Sequence, residues 1–341
     1  MNTKRCGAQT VALSKPPSVA GFACIGGKLE SEGPLKDEFD ELSTDSFFGE
    51  KTWEKAESVM QRRAFECALS KAGMRPESLD YLLAGDLLNQ CIGTSFCVRD
   101  FAVPFYGLYG ACSTMGESLS LAAMLIDGGF ARTAAAMTSS HFCTAERQYR
   151  MPVPYGNQRT PTAQWTATAA GCCILSQDGD GPYVTHVTCG KVIDKGITDA
   201  NNMGAAMAPA AYDTLRAFFE DTKTAPSDYD LVLTGDLGYL GHQILVEQLL
   251  RDGIDLRQNG GDCGLLLYDR EKQDMHAGGS GCGCAAAVLN GYLLRGMRAG
   301  KWKRIVLAPT GALLSPTSSM QGESIPSVCH AVCISTEKGG M

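Results

Sequence analysis

The sequence predicts an α/β protein assembled from two related halves. Three observations lead there. Segments of helical and strand-like periodicity alternate along the chain, a turn-and-strand motif recurs at a fixed offset, and 341 residues that are 44% hydrophobic supply enough apolar material for two core-forming units or one large α/β domain. The motif reads Pro76-Glu-Ser-Leu-Asp-Tyr-Leu-Leu-Ala-Gly-Asp-Leu87 and again Pro226-Ser-Asp-Tyr-Asp-Leu-Val-Leu-Thr-Gly-Asp-Leu237, an offset of 150. A second echo links Gly110-Ala-Cys112 with Gly281-Cys282-Gly283, each opening a helix that stops at a glycine before a strand. The halves are drawn as residues 1–200 and 201–341. Equivalent strand ends, and with them Gly85-Asp86 and Gly235-Asp236, should then meet across a pseudo-two-fold axis, where α/β sheets bind ligands.

In chain order, residues 10–13 and 19–24 read as short strands, and the polar stretch 28–45 as a loop long enough to be functional or mobile. Residues 53–72 carry Ala56, Val59, Met60, Ala64, Phe65, Ala68 and Leu69 at helical spacing and stop at Gly73, a residue suited to the left-handed position after a helix. Pro76 turns the chain into a strand at 81–84. A helix is predicted over 113–126, closed by Gly128-Gly129, then a buried strand over 133–138. Residues 146–165, with Pro152, Pro154 and Pro161, read as a surface loop or lid, and 166–176 as a strand with 183–188 paired beside it. From Ala205 the pattern restarts: helix 211–222, strand 229–234, helix 239–252, strand 263–268, helix 283–298, strand 304–308 and a last strand over 328–335.

The formal net charge of −7, without a Lys/Arg block, argues against a nucleic-acid partner, because phosphate binding needs clustered cations. Fifteen cysteines in a long chain without a signal peptide read as reduced thiols of a cytosolic compartment. Cys172-Cys173 and Cys282-Gly283-Cys284 lack zinc-site spacing, only five histidines are present, and no metal site is predicted. Lys15-Pro16-Pro17 interrupts any signal sequence, and no apolar window reaches the roughly 18 residues of a membrane span, so membrane association is expected through a partner.

Cys112 stands out because it opens a predicted helix. Unpaired N–H groups and the positive end of the helix dipole gather there, which favours a thiolate or a bound carboxylate. The alternative is a buried structural cysteine, the ordinary state of this residue type.

Two duplicated halves with a cysteine opening the helix after the third strand resemble the thiolase superfamily, and Gly110-Ala-Cys-Ser113 resembles the nucleophile turn of chain-initiating beta-ketoacyl synthases. More specifically, Ala84-Gly-Asp-Leu-Leu-Asn-Gln90, Gly110-Ala-Cys-Ser-Thr114, Asp127-Gly-Gly-Phe-Ala131, Thr138-Ser-Ser-His141 and Thr144-Ala-Glu-Arg-Gln148 resemble the stage V sporulation protein AD family of spore-forming Firmicutes. Ala206-Met-Ala-Pro-Ala-Ala211, Gly278-Gly-Ser-Gly-Cys282 and Thr310-Gly-Ala-Leu-Leu-Ser-Pro316 complete the set. The resemblance implies a thiolase-like fold of duplicated αβαβα layers. It further implies a soluble homodimeric subunit of the stage V sporulation A membrane complex, held at the forespore inner membrane by other subunits. That complex moves dipicolinic acid, a pyridine dicarboxylate usually held as its calcium chelate, into the forespore, and this subunit would bind the acid without transforming it.

Condensation on this fold needs a thiolate and two polar partners, His with His or Asn. The resemblance puts those partners at Gly235 and Gly278, so both side chains are gone and Cys112 becomes a vestigial nucleophile position. His242 and His276 are out of register and read as surface or loop residues. The competing expectation is an acyltransferase or beta-ketoacyl-synthase-like enzyme using Cys112. In the emptied pocket, ligand carboxylates would fall to the helix start (Cys112, Ser113, Thr114), to the glycine turn (Gly278, Gly279, Ser280) and to the backbone around Gly311. Asp86, Asn89 and Asp236 could hold a calcium ion arriving with the ligand or donate hydrogen bonds, or the two aspartates could simply cap turns. His141, Arg147 and Arg150 are further candidates. No other cofactor is expected.

Overall fold

The computed structural model describes residues 4–149 and 159–339. The first half contributes strands β1 (Thr10–Ala12), β2 (Ser18–Gly26) and β3 (Glu41–Leu42), then helix α1 (Trp53–Ala72). The Thr52 side chain accepts Lys55 N–H at the start of α1, and Gly73, at φ 64°, returns its N–H to Leu69 and Ser70, so both ends of the predicted helix have a chemical cause. Strand β4 (Tyr81–Gly85), helix α2 (Ile92–Val98), edge strand β5 (Phe105–Gly107), helix α3 (Thr114–Asp127) and strand β6 (Thr133–Ser140) follow. Helix α4 (Phe142–Tyr149) occupies the start of the segment expected to be irregular, and β7 (Trp165–Thr166) and β8 (Ala169–Ser176) end the half.

The second half opens with β9 (Tyr183–Thr188), ahead of the boundary drawn at residue 200. Helix α5 (Met203–Thr222) starts earlier than the sequence pattern suggested, because Asn202 caps it by accepting Ala205 N–H and Pro209 is accommodated inside it. Strand β10 (Leu231–Thr234), helix α6 (Gly238–Arg251) and strand β11 (Gly260–Asp262) lead to α7 (Cys263–Leu267), which corrects the strand predicted over 263–268. There the Asp262 side chain accepts Gly264 N–H and caps a helical turn. Strand β12 (Gly279–Ser280), helices α8 (Cys282–Ala287) and α9 (Leu294–Arg298) joined by a π-helical turn, and β13 (Arg304–Ala308) come next. The predicted last strand is two: after β14 (Thr310–Ala312) and α10 (Pro316–Met320), β15 (Ser327–Cys329) pairs with β14, and β16 (Ala331–Ser335) returns to the main sheet.

The main sheet runs β11-β10-β13-β16-β9-β2-β8-β6-β4-β5. Read outward from its centre, β2-β8-β6-β4-β5 and β9-β16-β13-β10-β11 have the same order of strands and the same alternation of parallel and antiparallel neighbours. This is the duplication that the offset of 150 announced. The pairing expected between residues 183–188 and 166–176 is corrected: β9 pairs with β16 and β1, and meets β2 only at Tyr183 opposite Ser18.

Helices α3 and α8 touch each other, α3 lying on β6 and β16 and α8 on β8 and β6, while α1 covers β2 and β8 from the other side and α5 packs with α6. Three large apolar clusters fill the spaces, Met115, Leu119, Leu289 and Ile305 in the middle, Met60, Phe65 and Leu82 under α1, and Leu215, Phe218 and Leu245 under α5, and a small fourth holds Leu87, Cys112, Ala145 and Cys282. The 28–45 loop is tied into the middle through Glu30, which is 1% exposed and accepts Gly27 N–H, Thr168 N–H and the Tyr268 hydroxyl.

Candidate functional site

The site forms where the two halves meet. Ala111–Ser113 makes a single 3-10 turn that feeds α3, with Ala111 at φ 49°. Gly311 of β14 lies against this turn so tightly that a Cβ there would stand 2.1 Å from the Gly110 carbonyl oxygen. The Cys112 thiol lies on a cavity whose apolar wall includes Leu87, Ala111, Ala145, Met203 and Leu314, with Glu146, Tyr149, Thr166 and Ser280 supplying polar groups.

Asp236, just beyond β10, is 1% exposed and faces Cys112. Its Oδ1 accepts the Thr310 hydroxyl at 2.9 Å, and its Oδ2 accepts the Ser280 hydroxyl and Gly281 N–H, both at 3.1 Å. Burial pushes its pKa up to about 7 against the pull of these donors, with the nearby Asp262 adding to the rise. Burial also raises the Cys112 thiol well above its ordinary value, and the Asp236 charge raises it further. Of the two readings weighed for Cys112, these directions favour the buried neutral thiol over a thiolate at the helix start: desolvation and the Asp236 charge outweigh Gly281 N–H, which acts the other way.

The remaining candidates are distributed as follows. Ser113 N–H and its hydroxyl both go to the Gly110 carbonyl, and Thr114 N–H and hydroxyl go to Ala111, so these donors close the turn instead of facing the cavity. Gly278, at φ 108°, gives its N–H to Met275 and takes Trp165 N–H, while the Gly279 carbonyl takes the Gln164 amide; of this turn, Ser280 reaches the cavity wall. Asp86 caps: it accepts Leu88 N–H, Thr94 N–H and the Thr94 hydroxyl. Asn89 is exposed and takes the Gln148 amide at 2.9 Å. His141 is buried with Nε2 on the Ser46 carbonyl at 2.8 Å and Nδ1 accepting Cys143 N–H, away from the cavity lining. Arg147 pairs with Glu54, and Arg150 lies outside the described residues. His276 is a loop residue with Nδ1 2.6 Å from the Thr160 carbonyl, whereas His242 is a correction: it is half-buried on α6 beside Asp262. Asp86, Asn89 and Asp236 thus spend their oxygens separately, and among the described residues no group of three or more His, Cys, Asp or Glu side chains is arranged around a common metal position.

Residues 7–335 match the family described as Stage V sporulation protein AD. The chain belongs to that family. It is 43% identical over 329 residues to stage V sporulation protein AD of Bacillus subtilis (strain 168), a match covering 96% of this chain and 97% of that one. Among solved structures it is similar to 3-oxoacyl-[acyl-carrier-protein] synthase III of Aquifex aeolicus VF5, at a TM-score of 0.59 and 14% identity over 94% of this chain and 99% of that one. It is also similar to cerulenin-bound OleA of Xanthomonas, at a TM-score of 0.60 and 16% identity over 94% and 97% of the two chains. At that identity the likeness establishes the thiolase-type fold.

In this member of the stage V sporulation protein AD family, the two positions assigned to condensing partners are closed by backbone. A Cβ on Gly235 would stand 2.8 Å from Pro309 Cα, and one on Gly278 would stand 2.9 Å from the Gly264 carbonyl oxygen. Among the described residues, a polar side chain that does reach Cys112 comes from the next position, Asp236. Sequence reasoning missed most of the wall, including Leu87, Tyr149, Met203 and Leu314, because residues on separate elements carry no local signal of a shared cavity.

Proposed function

We propose that this chain binds dipicolinic acid, alone or as its calcium chelate, as the non-condensing thiolase-fold subunit of the stage V sporulation A membrane complex. The observation that carries this reading is the pairing of Cys112 with a carboxyl in place of imidazole or amide groups. Among the described residues no imidazole or side-chain amide joins the buried thiol and its acid neighbour, and such donors to an enolate or thioester oxyanion each contribute on the order of 10²-fold or more to rate. What is left is a cavity walled by apolar surface with a few polar groups, the usual character of a small-molecule site. Among the described residues no helix is long and apolar enough to cross a membrane, and in this reading the forespore membrane is reached through partner subunits. Calorimetric titration of the purified protein with dipicolinate, with and without calcium, tests the reading: saturable binding in at least one condition is expected, and its absence from both removes it.

A homodimer belongs to the same proposal. Strand β5 is one edge of the main sheet, its Tyr106 is 55% exposed, and α2 beside it exposes Ile92 and Phe96. Edge-to-edge pairing with a second copy would cover them. Analytical ultracentrifugation of the wild type and Tyr106→Lys, with only the variant shifting to monomer, is the expected result.

One specific feature favours a second reading. A carboxyl whose pKa lies near 7 beside a thiol could act as its base, taking the Sγ proton during attack on an acyl thioester and passing it to the departing thiol. Mass spectrometry after incubation with acyl-CoA decides it, an unmodified Cys112 counting against acyl transfer.

A further inference from the structure

Among the described residues that line the cavity, one carries an aromatic ring, Tyr149. Its apolar neighbours in the wall, such as Leu87, Ala145, Met203 and Leu314, are aliphatic or a thioether. Tyr149 is held from both ends. Its hydroxyl donates to the Leu87 carbonyl at 2.5 Å, which leaves the Tyr109 hydroxyl, also at 2.5 Å, to donate to it in turn. Both groups are un-ionised near neutral pH, the ordinary state of a phenol, and burial raises Tyr149 further. At the other end, α4 is pinned by the Thr144 hydroxyl on Glu57 at 2.7 Å and by the Gln148 amide on Asn89. A ring fixed at its hydroxyl and through its helix has already lost its rotamer freedom, so a ligand lying on it does not have to order it.

We propose that Tyr149 is the stacking platform of the cavity, and that it makes the site select a flat aromatic acid over a saturated one carrying its carboxylates at the same positions. The proposal rests on the ligand class given above and adds the residue and the contact that discriminate. An aromatic pair contributes roughly three- to tenfold in affinity beyond simple burial, and that preference should vanish with the ring.

The experiment compares pyridine dicarboxylate with the corresponding saturated piperidine dicarboxylate by calorimetry, each with and without calcium, on the wild type, Tyr149→Phe and Tyr149→Leu, with folding checked by circular dichroism. The wild type and Tyr149→Phe are expected to prefer the aromatic acid by roughly three- to tenfold. In Tyr149→Leu the preference should shrink by roughly that same three- to tenfold, leaving only the difference due to the protonated piperidine nitrogen. A wild type that binds both acids equally, or a folded Tyr149→Leu that keeps the full preference, overturns the platform while leaving acid binding intact. A wild type that binds neither acid in any condition overturns the binding reading itself.

Discussion

Pro309 stands against Gly235 so closely that a Cβ on the glycine would lie 2.8 Å from the proline Cα, with the Pro309 and Ala285 side chains next in line. The position that the family resemblance assigns to a condensing histidine is therefore filled by main chain, which cannot shift cheaply. Gly235→His is expected to lower stability by about 1–3 kcal/mol, the usual cost of forcing extra atoms into a packed core, without creating condensing activity. Denaturant unfolding measures the first effect and a decarboxylative condensation assay the second; product formation by the variant would show that only one side chain separates this site from a synthase.

The two readings of Asp236 make opposite predictions for Asp236→Asn. If the carboxylate merely adds negative charge beside a buried thiol, its removal makes Cys112 easier to ionise above about pH 7, where Asp236 is charged, and leaves the thiol unchanged below that. Iodoacetamide labelling of Cys112, followed by mass spectrometry, is then expected to run severalfold faster in the variant near pH 8 and equally fast near pH 6. A base that activates the thiol would give the reverse, slower labelling of the variant at the higher pH.

Glu57 provides a pH-dependent test of stability. It is 1% exposed inside α1, where its two oxygens accept the Ser139 and Thr144 hydroxyls, and burial with Asp86 nearby pushes its pKa up to about 8. The folded protein thus holds a proton that the unfolded chain releases above about 4.5, and stability falls as the pH rises between those values. Glu57→Gln keeps a neutral hydrogen-bonding group and removes this loss. Its melting temperature should exceed that of the wild type by a few degrees near pH 8 and by little near pH 5, as read by scanning calorimetry. An equal difference at both values would place the cause in packing.

How much of this could be read beforehand depended on the range of the interactions. The repeat was legible because its signals are local: proline, strand and Gly-Asp follow one another within twelve residues at both Pro76 and Pro226. The same locality made Asp86 and Asp236 look equivalent, yet Asp86 caps its own neighbours up to Thr94, whereas Asp236 draws its partners from Ser280, Thr310 and Cys112. Glu57, one residue after the apolar Ala56, carries no local signal of its burial; β6 and α4 close over it only in the assembled fold. The run Cys263-Gly-Leu-Leu-Leu-Tyr268 is apolar throughout, and periodicity could not tell a buried strand from a buried helix; the cap at Asp262 decided. The identity of Cys112 as the pocket thiol was legible, but its protonation state was not, since burial is a property of the assembled halves.

Gly311 tests whether the turn beneath the cavity tolerates any side chain. Its Cβ would meet the Gly110 carbonyl oxygen at 2.1 Å and the Ser113 nitrogen at 3.1 Å, both main-chain atoms of the turn that holds Cys112. Gly311→Ala must therefore push β14 away from that turn, and because β14 also pairs with β15 through Gly311 and Val328, the displacement runs into the second half. The expected cost is about 1–3 kcal/mol in unfolding free energy, together with faster alkylation of Cys112 as the turn loosens and water reaches the thiol. If Gly311→Ala unfolds with the wild-type midpoint and labels at the wild-type rate, the close approach of the two halves at this point is not what holds Cys112 in place.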